Sequence, residues 1–216
     1  MLKMMNINDD AFFTEALRKR GKNEPCWCLS GIKYKKCHWE RENKDKFEIG
    51  RVLNVNYKLF NVKRCMHPDT ENCSGTRIRS HTIQRNGSLK KIIDSKNNVL
   101  RMSRDIFNID EPEEIGWKKA STFYGFCENH DGTMFSVLEN HVFEADEEQC
   151  FLLYYRALCY ELYNKEALVE ILKFQKNVID NGFPLRRQIE IQYSINHSIS
   201  EFERTVQELQ NEKAEA

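Results

Sequence analysis

Residues 21–38 read GKNEPCWCLSGIKYKKCH and concentrate possible metal ligands in one short loop. The ligands form a C-x-C pair and an adjacent C-H pair: Cys26, Cys28, Cys37 and His38. Structural Zn²⁺ sites use four such sulfur and nitrogen ligands in a tetrahedron. Pro25 and Gly31 suit a tight loop, because proline fixes φ and glycine accepts a positive φ. The stretch therefore predicts a zinc-binding loop that is ordered by its metal.

The same stretch resembles the SEC-C zinc motif, first known at the C-terminal end of the bacterial preprotein translocase ATPase. That family reads roughly GRNDPCPCGSGKKYKKCHG. The positions that match are Gly21, Asn23, Pro25, Cys26, Cys28, Ser30, Gly31, Lys33, Tyr34, Lys35, Lys36, Cys37 and His38. Trp27, Leu29, Ile32 and Trp39 depart from it, and the two tryptophans and Leu29 make the predicted partner face more apolar. The resemblance implies one bound zinc, a protein partner for this face and a bacterial protein.

Composition sets broad limits on the function. The 216 residues suffice for one medium domain or two small ones, and the charges balance at 33 basic against 33 acidic. Net charge therefore neither favours nor excludes nucleic acid. We find no signal-like apolar run and no membrane span in the sequence, so we expect a cytoplasmic protein without membrane contact. The chain has eight cysteines, and their close C-x-C, C-H and C-x-x-H spacings favour metal binding over disulfides.

A second group of possible ligands lies in the middle of the chain. Cys65 and Cys73 form one pair, and Cys127 with His130 forms a C-x-x-H pair much later. A treble-clef site has this layout, with one pair on a knuckle before a β-hairpin and the other in the first turn of a helix. These four residues predict a second zinc site. His67 competes with Cys65 or Cys73 for a place in it.

The segment Ser80-His-Thr-Ile-Gln-Arg-Asn86 lies between the two pairs and resembles the ββα-metal (HNH) nuclease arrangement. The resemblance implies His81 as general base, Asn86 as its orienting residue and Asp131 as a ligand of a catalytic Mg²⁺ or Mn²⁺. Ser80 stands where that family usually has Asp, and Asp131 where it usually has His or Asn. The alternatives are a structural or ligating His81, or nucleic-acid binding without cleavage.

Residues 77–104 are locally basic. The cations are Arg77, Arg79, Arg85, Lys90, Lys91, Lys96, Arg101 and Arg104, against Asp94 alone. Such a strip predicts phosphate contacts, with Arg85, Lys90 and Lys91 as the leading nucleic-acid candidates; the alternative is an ordinary solvated face. Regular strand alternation would place His81 on one face with Arg77 and Arg79.

The chain from residue 146 onward shows helical periodicity. It predicts a helix to a break at Asn164, a second helix, a stop at Gly182-Phe-Pro184 and a third helix from Leu185. Cys150 and Cys159 are expected as buried thiols in the first of these helices. The last helix has an apolar stripe from Ile191 to Leu209, which predicts either a homodimer through 185–210 or packing against 151–179.

Taken together, the sequence predicts an α+β, mainly helical protein with a small N-terminal zinc knuckle, a treble-clef-like middle and a helical C-terminal part. The predicted segments are an N-terminal helix (1–20), the zinc motif (21–39), a linker or helix (40–62), the treble-clef or HNH-like region (63–145) and the helical region (146–216). Its predicted function is protein or nucleic-acid interaction supported by two zinc sites; the alternative is a nuclease. Loss of the first metal is expected to melt 21–39 only.

Overall fold

The computed structural model describes residues 9–83, 88–102 and 112–216, and the described chain is mainly helical. In chain order its elements are α1 (Asp9–Leu17), α2 (Ile49–Leu59), β1 (Arg77–His81), β2 (Asn98–Met102), β3 (Pro112–Gly116), β4 (Thr122–Cys127), α3 (Glu128–Met134), α4 (Ser136–Asn140), α5 (Glu147–Lys176) and α6 (Leu185–Glu215). The predicted class is confirmed: a mainly helical chain with a cysteine-rich N-terminal knuckle and a helical C-terminal part. None of the helices in the described part is long and apolar enough to cross a membrane.

The chain divides into two compact units. Unit 1 comprises Met1–Phe60 and Asn164–Gln210, and unit 2 comprises Asn61–Tyr163 and Asn211–Ala216. Each unit has its own apolar core. The core of unit 1 is built on Phe12, Ala16, Trp27 and Ile189 together with the cysteines of the knuckle. The core of unit 2 is mostly aromatic, with Phe123, Phe126, Phe135, Tyr155 and Tyr163 among its buried members.

Helix α5 is longer than its sequence predicts. The predicted break at Asn164 is wrong, because α5 continues unbroken from Glu147 to Lys176. Tyr163 and Ala167 are both buried on either side of Asn164, and asparagine in a helix costs less than this packing stabilises. Cys159 is buried as predicted, whereas the same prediction for Cys150 is wrong, since that thiol is exposed.

The apolar stripe of α6 contacts α5 within unit 1. Ile189 and Ile195 are buried, the Lys165 ammonium lies 5.0 Å from the Phe202 ring, and Lys173 pairs with Glu203 at 3.1 Å. Within the predicted stripe, Ile195 is therefore buried and Phe202 contacts Lys165 of α5. A homodimer through 185–210 stays a prediction, which sedimentation of the wild-type protein tests.

The strands form two antiparallel pairs, β1 with β4 and β2 with β3. Arg77 pairs with Cys127 and His81 with Thr122, but the register shifts between Ile78 and Ser80. This irregularity interrupts the alternation of side chains along β1. The prediction that Arg77, Arg79 and His81 share a face rested on a regular strand, and that premise is wrong.

Candidate metal centres

The N-terminal knuckle, residues 21–40, is held in shape by its own backbone. The Cys26 N–H donates to the Ile32 carbonyl at 2.8 Å, and the Tyr34 N–H donates to the Glu24 carbonyl at 2.8 Å. The chain reverses at Gly31, whose φ of 71° is a left-handed angle that glycine adopts without strain. A short 3₁₀ turn at Tyr34–Lys36 then turns Cys37 and His38 back towards the C-x-C pair.

This local fold assembles site 1 from the four predicted residues. The side-chain ligand atoms of Cys26, Cys28, Cys37 and His38 all lie within 4.8 Å of one another. His38 Nδ1 is 3.2 Å from Cys26 Sγ and 3.1 Å from Cys37 Sγ, and Cys28 Sγ is 3.5 Å from Cys37 Sγ. A zinc tetrahedron with Zn–S bonds of about 2.3 Å has ligand–ligand edges of about 3.5–3.8 Å. The donor set therefore fits Zn²⁺, and the three distances lie within about half an ångström of these edges.

The sulfurs of site 1 are electrostatically coupled. Hydrogen bonds from Cys26 and Cys28 lower the pKa of Cys37 to about 3. Hydrogen bonding with Cys28 and Cys37 raises the pKa of Cys26, because the proton is shared within the cluster. Interaction with Cys26 lowers the pKa of Cys28 as well. Lowered thiol pKa values favour a bound cation, since a metal replaces the thiol protons.

Residues far away in sequence surround the outer edge of site 1. His38 Nε2 lies 2.9 Å from Asp180 Oδ2, and Asp180 Oδ1 lies 3.0 Å from Arg41 Nε. Gln192 Nε2 donates to Asp180 Oδ2 at 2.9 Å. The Asp180 and Arg41 side chains are both buried. Sequence reasoning missed Asp180 and Arg41, because a carboxylate in a loop 142 residues from its histidine carries no local signal.

Site 2 collects the four predicted residues from three separate segments. The ligand atoms of Cys65, Cys73, Cys127 and His130 lie within 4.8 Å of one another. His130 Nδ1 is 3.4 Å from Cys65 Sγ, 3.6 Å from Cys73 Sγ and 3.4 Å from Cys127 Sγ. Three thiols and one imidazole at these distances again fit a tetrahedral Zn²⁺.

Backbone pairing places the ligands of site 2. The Arg64 and Met66 N–H groups donate to Tyr124 and Gly125 carbonyls at 3.1 and 2.8 Å, so Cys65 lies beside β4. Cys127 ends β4 and is the N-cap of α3, where its sulfur accepts from the His130 N–H at 3.4 Å. Burial raises the pKa of Cys127, but that hydrogen bond and others from Ser74 outweigh it and lower the value to about 6.

His67 lies against site 2 and outside its group of four ligand atoms. Its ring stacks on the His130 ring, with 3.8 Å between the centroids and 11° between the planes. Its Nδ1 accepts a hydrogen bond from the Asp69 N–H at 3.1 Å. The geometry thus groups Cys65 and Cys73, rather than His67, with Cys127 and His130, and the ligand set stays a prediction.

Residues 23–40 match the SEC-C motif. This match covers site 1 and confirms the resemblance drawn from the sequence. Searches among curated proteins and among solved structures found no match for the chain. We refer to residues 21–40 from here on as the SEC-C loop.

Trp27 and Trp39 of the SEC-C loop differ in their surroundings. Trp27 is buried, with its ring 4.4 Å from the His38 ring and 6.3 Å from the Phe12 ring. It is thus a core residue of unit 1, and the expectation that it enlarges an apolar partner face is wrong. Trp39 is half-buried beneath the Lys22 ammonium, which lies 4.3 Å from its ring.

The structure brings His81 and Asp131 near each other. His81 ends β1, and Asp131 lies in α3, which directly follows the paired strand β4. Burial raises the pKa of Asp131, and the Ser80 hydroxyl, the Arg156 charge and His81 partly oppose this shift. His81 lies outside the site 2 group of ligand atoms. Asn86, its predicted orienting residue, lies outside the described residues.

The cations of the basic strip, residues 77–104, have different surroundings in the fold. Arg101 on β2 pairs with Glu113 on β3 at 2.7 Å, and Arg79 donates to the Tyr124 hydroxyl at 2.8 Å. Lys90 and Lys91 are exposed, whereas Arg85 lies outside the described residues. The count of charges along 77–104 omitted the acidic residues of β3, which strand pairing places beside β2.

Proposed function

We propose that this protein binds two zinc ions and uses its SEC-C loop to dock an acidic protein partner. The observation that carries the proposal is the assembly of two separate Cys₃His groups, each with its four ligand atoms within 4.8 Å. Four ligands and no open position are typical of structural rather than catalytic zinc. Each zinc would stabilise the fold of one unit, and the thiolates require a reducing compartment such as the cytoplasm.

The outer surface of the SEC-C loop supports a protein partner. Leu29 and Ile32 are 37% and 42% exposed, although both are apolar and lie in a short polar loop. Four lysines of the same loop are exposed: Lys22, Lys33, Lys35 and Lys36. Glu24 of the same loop, by contrast, forms an ion pair with Arg18, with 2.6 Å between Glu24 Oε2 and Arg18 Nη2. Exposed apolar side chains ringed by cations suit a partner segment that combines carboxylates with apolar residues.

The layout of unit 2 supports a treble-clef interpretation of site 2. Cys65 and Cys73 precede the β1–β4 pair, and Cys127 with His130 lies at the start of α3. In this arrangement the zinc joins the knuckle, the strands and the helix, so it stabilises unit 2 as a whole. We assign it no catalytic step.

Metal analysis tests the zinc half of the proposal. The wild-type protein should contain about two zinc ions per chain, because each Cys₃His group holds one. Cys28→Ser and Cys73→Ser should each retain about one. A wild-type protein with one zinc or none after careful purification contradicts it.

A surface variant tests the partner half. Leu29→Ser with Ile32→Ser should keep both zinc ions and lose any protein that wild type enriches from its own cell extract. Val142→Ser, an exposed apolar residue of unit 2, serves as the matched control. The recovered partner should then bind wild type in purified form, more weakly as salt rises. Identical binding by wild type and the double variant contradicts the proposed face.

The approach of His81 to Asp131 favours a second candidate function, an HNH-like nuclease in unit 2. A histidine at the end of a strand and a carboxylate on the following helix can share a divalent ion and an attacking water. The burial that raises the pKa of Asp131 opposes metal binding there and argues for weak chemistry at most.

Cleavage and binding assays separate this candidate from the first. DNA and RNA should be cut in Mg²⁺ or Mn²⁺ by wild type and not by His81→Ala or Asp131→Asn. Charge reversal at Lys90 and Lys91 should abolish a salt-sensitive retention of nucleic acid without changing the zinc content. The absence of both retention and cleavage eliminates the nuclease and nucleic-acid functions together.

A further inference from the structure

The His38 ring of site 1 is held between the cysteine sulfurs and a carboxylate from outside the SEC-C loop. Its Nδ1 is 3.1 Å from Cys37 Sγ, and its Nε2 is 2.9 Å from Asp180 Oδ2 in the turn between α5 and α6. Arg41 Nη1 also lies 2.9 Å from Nε2, but a guanidinium can only donate. A metal on Nδ1 leaves the ring proton on Nε2, and Asp180 Oδ2 is then the acceptor for it. Such a carboxylate partner fixes the orientation of a metal-bound imidazole and raises its basicity.

Asp180 is itself fixed by buried groups. The Asp180 side chain is 0% exposed and the Arg41 side chain 4% exposed, with Arg41 Nε 3.0 Å from Asp180 Oδ1. Gln192 from α6 donates to the other carboxylate oxygen at 2.9 Å. Arg41 also donates to Asn181 Oδ1 at 2.8 Å. A buried carboxylate with these partners is retained in one position, because loss of any partner leaves a buried charge uncompensated.

The backbone of the turn between the helices approaches the residues that follow the SEC-C loop. The Gly182 N–H donates to the Arg41 carbonyl at 3.0 Å. A Cβ on Gly182 would lie 2.7 Å from the Lys44 carbonyl oxygen, and its φ is 71°. Only glycine permits both the angle and this approach. The glycine at position 182 therefore makes this close backbone contact possible.

Helix α6 and the end of α5 supply a compensating charge. Zn²⁺ with three thiolates and a neutral imidazole carries one net negative charge (+2 − 3 = −1). The Lys176 ammonium lies 2.5 Å from Asn196 Oδ1, and Asn196 Nδ2 donates to the Cys28 carbonyl at 3.2 Å. Lys176 also interacts electrostatically with all three site 1 cysteines. Helices α5 and α6 thus place a cation next to site 1, which would become anionic when zinc binds.

From these contacts we infer that Asp180 is the outer partner of metal-bound His38 and that zinc at site 1 is coupled to docking of the α5–α6 turn. The inference rests on the zinc binding proposed above for site 1. The coupling is reciprocal. Docking of the turn raises the zinc affinity of site 1 by the same factor by which bound zinc raises the docking equilibrium of the turn. Metal loss then loosens residues 176–184 as well as the loop, unlike the sequence-based expectation that only 21–39 melts.

Zinc release into excess chelator tests the role of Asp180. Wild type should release its two zinc ions in two phases, one for each site. Asp180→Asn removes the charge and keeps the shape, and should accelerate one phase about 10–100-fold, the usual effect of losing a second partner of a metal-bound histidine. Glu190→Gln is the matched control, because Glu190 is an exposed carboxylate of α6 that pairs with Arg187, and it should release both ions as wild type does.

Two unchanged phases in Asp180→Asn overturn the inference, and so does equal acceleration of both. A wild-type protein that lacks the site 1 zinc defeats the proposed function instead, so the two failures are distinguishable.

Amide hydrogen exchange on the wild-type protein supplies a test that needs no variant. Removal of zinc should accelerate exchange of the amides of residues 176–184 by about the same 10–100-fold, as reciprocity requires. Residues 164–172, earlier in α5, serve as the internal reference and should change much less. Faster exchange in 21–39 with no change in 176–184 overturns the coupling.

Discussion

The two Cys₃His groups have the same ligands and nearly the same spacing, but they are built in opposite ways. Site 1 takes all its ligands from residues 26–38 and its outer contacts from residues as distant as 196. Site 2 takes its ligands from residues 65–130, while the outer neighbour described for its histidine, His67, lies two residues from the ligand Cys65 in sequence. Site 1 forms its ligand set locally and has its outer contacts with distant residues. Site 2 brings distant segments of the chain together through the ligands themselves.

This difference decides what each metal stabilises. Closing a long loop costs more conformational entropy than closing a short one, so a metal bound at site 2 would offset a larger part of the folding cost of its unit. A metal bound at site 1 would close a loop that backbone hydrogen bonds already shape, and we expect its wider effect to depend on Asp180. Unit 2 should therefore depend on its metal more than unit 1 does.

The largest expected effect is the loss of site 2. Cys127→Ser should remove one zinc per chain and unfold much of 61–163, because structural zinc contributes about 10 kcal/mol or more to small domains. Amide exchange should show lost protection in β1, β4 and α3 while the amides of α6 in 185–205 stay protected.

Cys150→Ser is the control for this prediction, since Cys150 is an exposed thiol in the same unit. It should keep two zinc ions and a wild-type melting temperature. A folded unit 2 in Cys127→Ser that lacks the site 2 zinc would remove the distinction between the two sites.

The next effect concerns the packing of site 1. Trp27→Ala should destabilise unit 1 by about 3–5 kcal/mol, the usual cost of deleting a large buried aromatic side chain. The Trp27 ring supports His38 from one side, so the zinc affinity of site 1 should fall as well. Thermal unfolding and chelator competition measure the two effects.

Trp39→Ala is the matched control, because Trp39 is half-buried and contacts Tyr34 and Lys22 at the loop surface. It should cost markedly less than Trp27→Ala. Equal losses from the two variants would mean that burial of Trp27 does not support the metal centre.

Both ligand sets were predictable from sequence because their chemistry is concentrated in few residue types. A C-x-C pair followed by C-H fixes site 1 within one loop, and the C-x-x-H pair at Cys127 and His130 marks a helix start. Cys65 and Cys73 were predicted as the other pair from the treble-clef layout, with His67 left as a competitor. Zinc sites are read reliably because three or four strong ligands leave few alternatives.

The outer contacts and the helix lengths were not predictable in this way. Asp180 lies in a turn where any acidic residue looks solvated, and only the folded chain places it beside His38. Asn164 looks like a break because its helix propensity is modest, but burial of its neighbours overrides that preference. The shift within β1 depends on pairing with β4, which a single strand does not reveal.

A substitution at His67 tests how much the outer contacts of site 2 contribute to its zinc affinity. His67→Ala should leave two zinc ions per chain, because His67 lies outside the ligand group and only stacks on His130. Loss of an aromatic stack of this kind costs about 0.5–1.5 kcal/mol, so the zinc affinity of site 2 should fall about 10-fold at most. Chelator competition measures it, and His67→Phe, which keeps a ring, should recover most of the loss. Loss of the second zinc in His67→Ala would instead identify His67 as a ligand.

The smallest expected effect lies at Leu29, which stands where the SEC-C pattern usually has glycine. Its φ of 62° is left-handed, and a side chain with a Cβ pays about 1–2 kcal/mol there. Glycine relieves that strain but costs roughly 0.5–1 kcal/mol in backbone entropy, so Leu29→Gly should stabilise unit 1 by about 0.5–1 kcal/mol. Lys33→Gly, at a position with φ of −58°, carries only the entropic cost and should destabilise by a similar amount. Because Leu29 is also exposed on the proposed partner face, Leu29→Gly should raise the melting temperature and weaken partner binding together. A variant that gains stability and binds its partner as tightly as wild type would show that Leu29 contributes strain to site 1 without contributing to recognition.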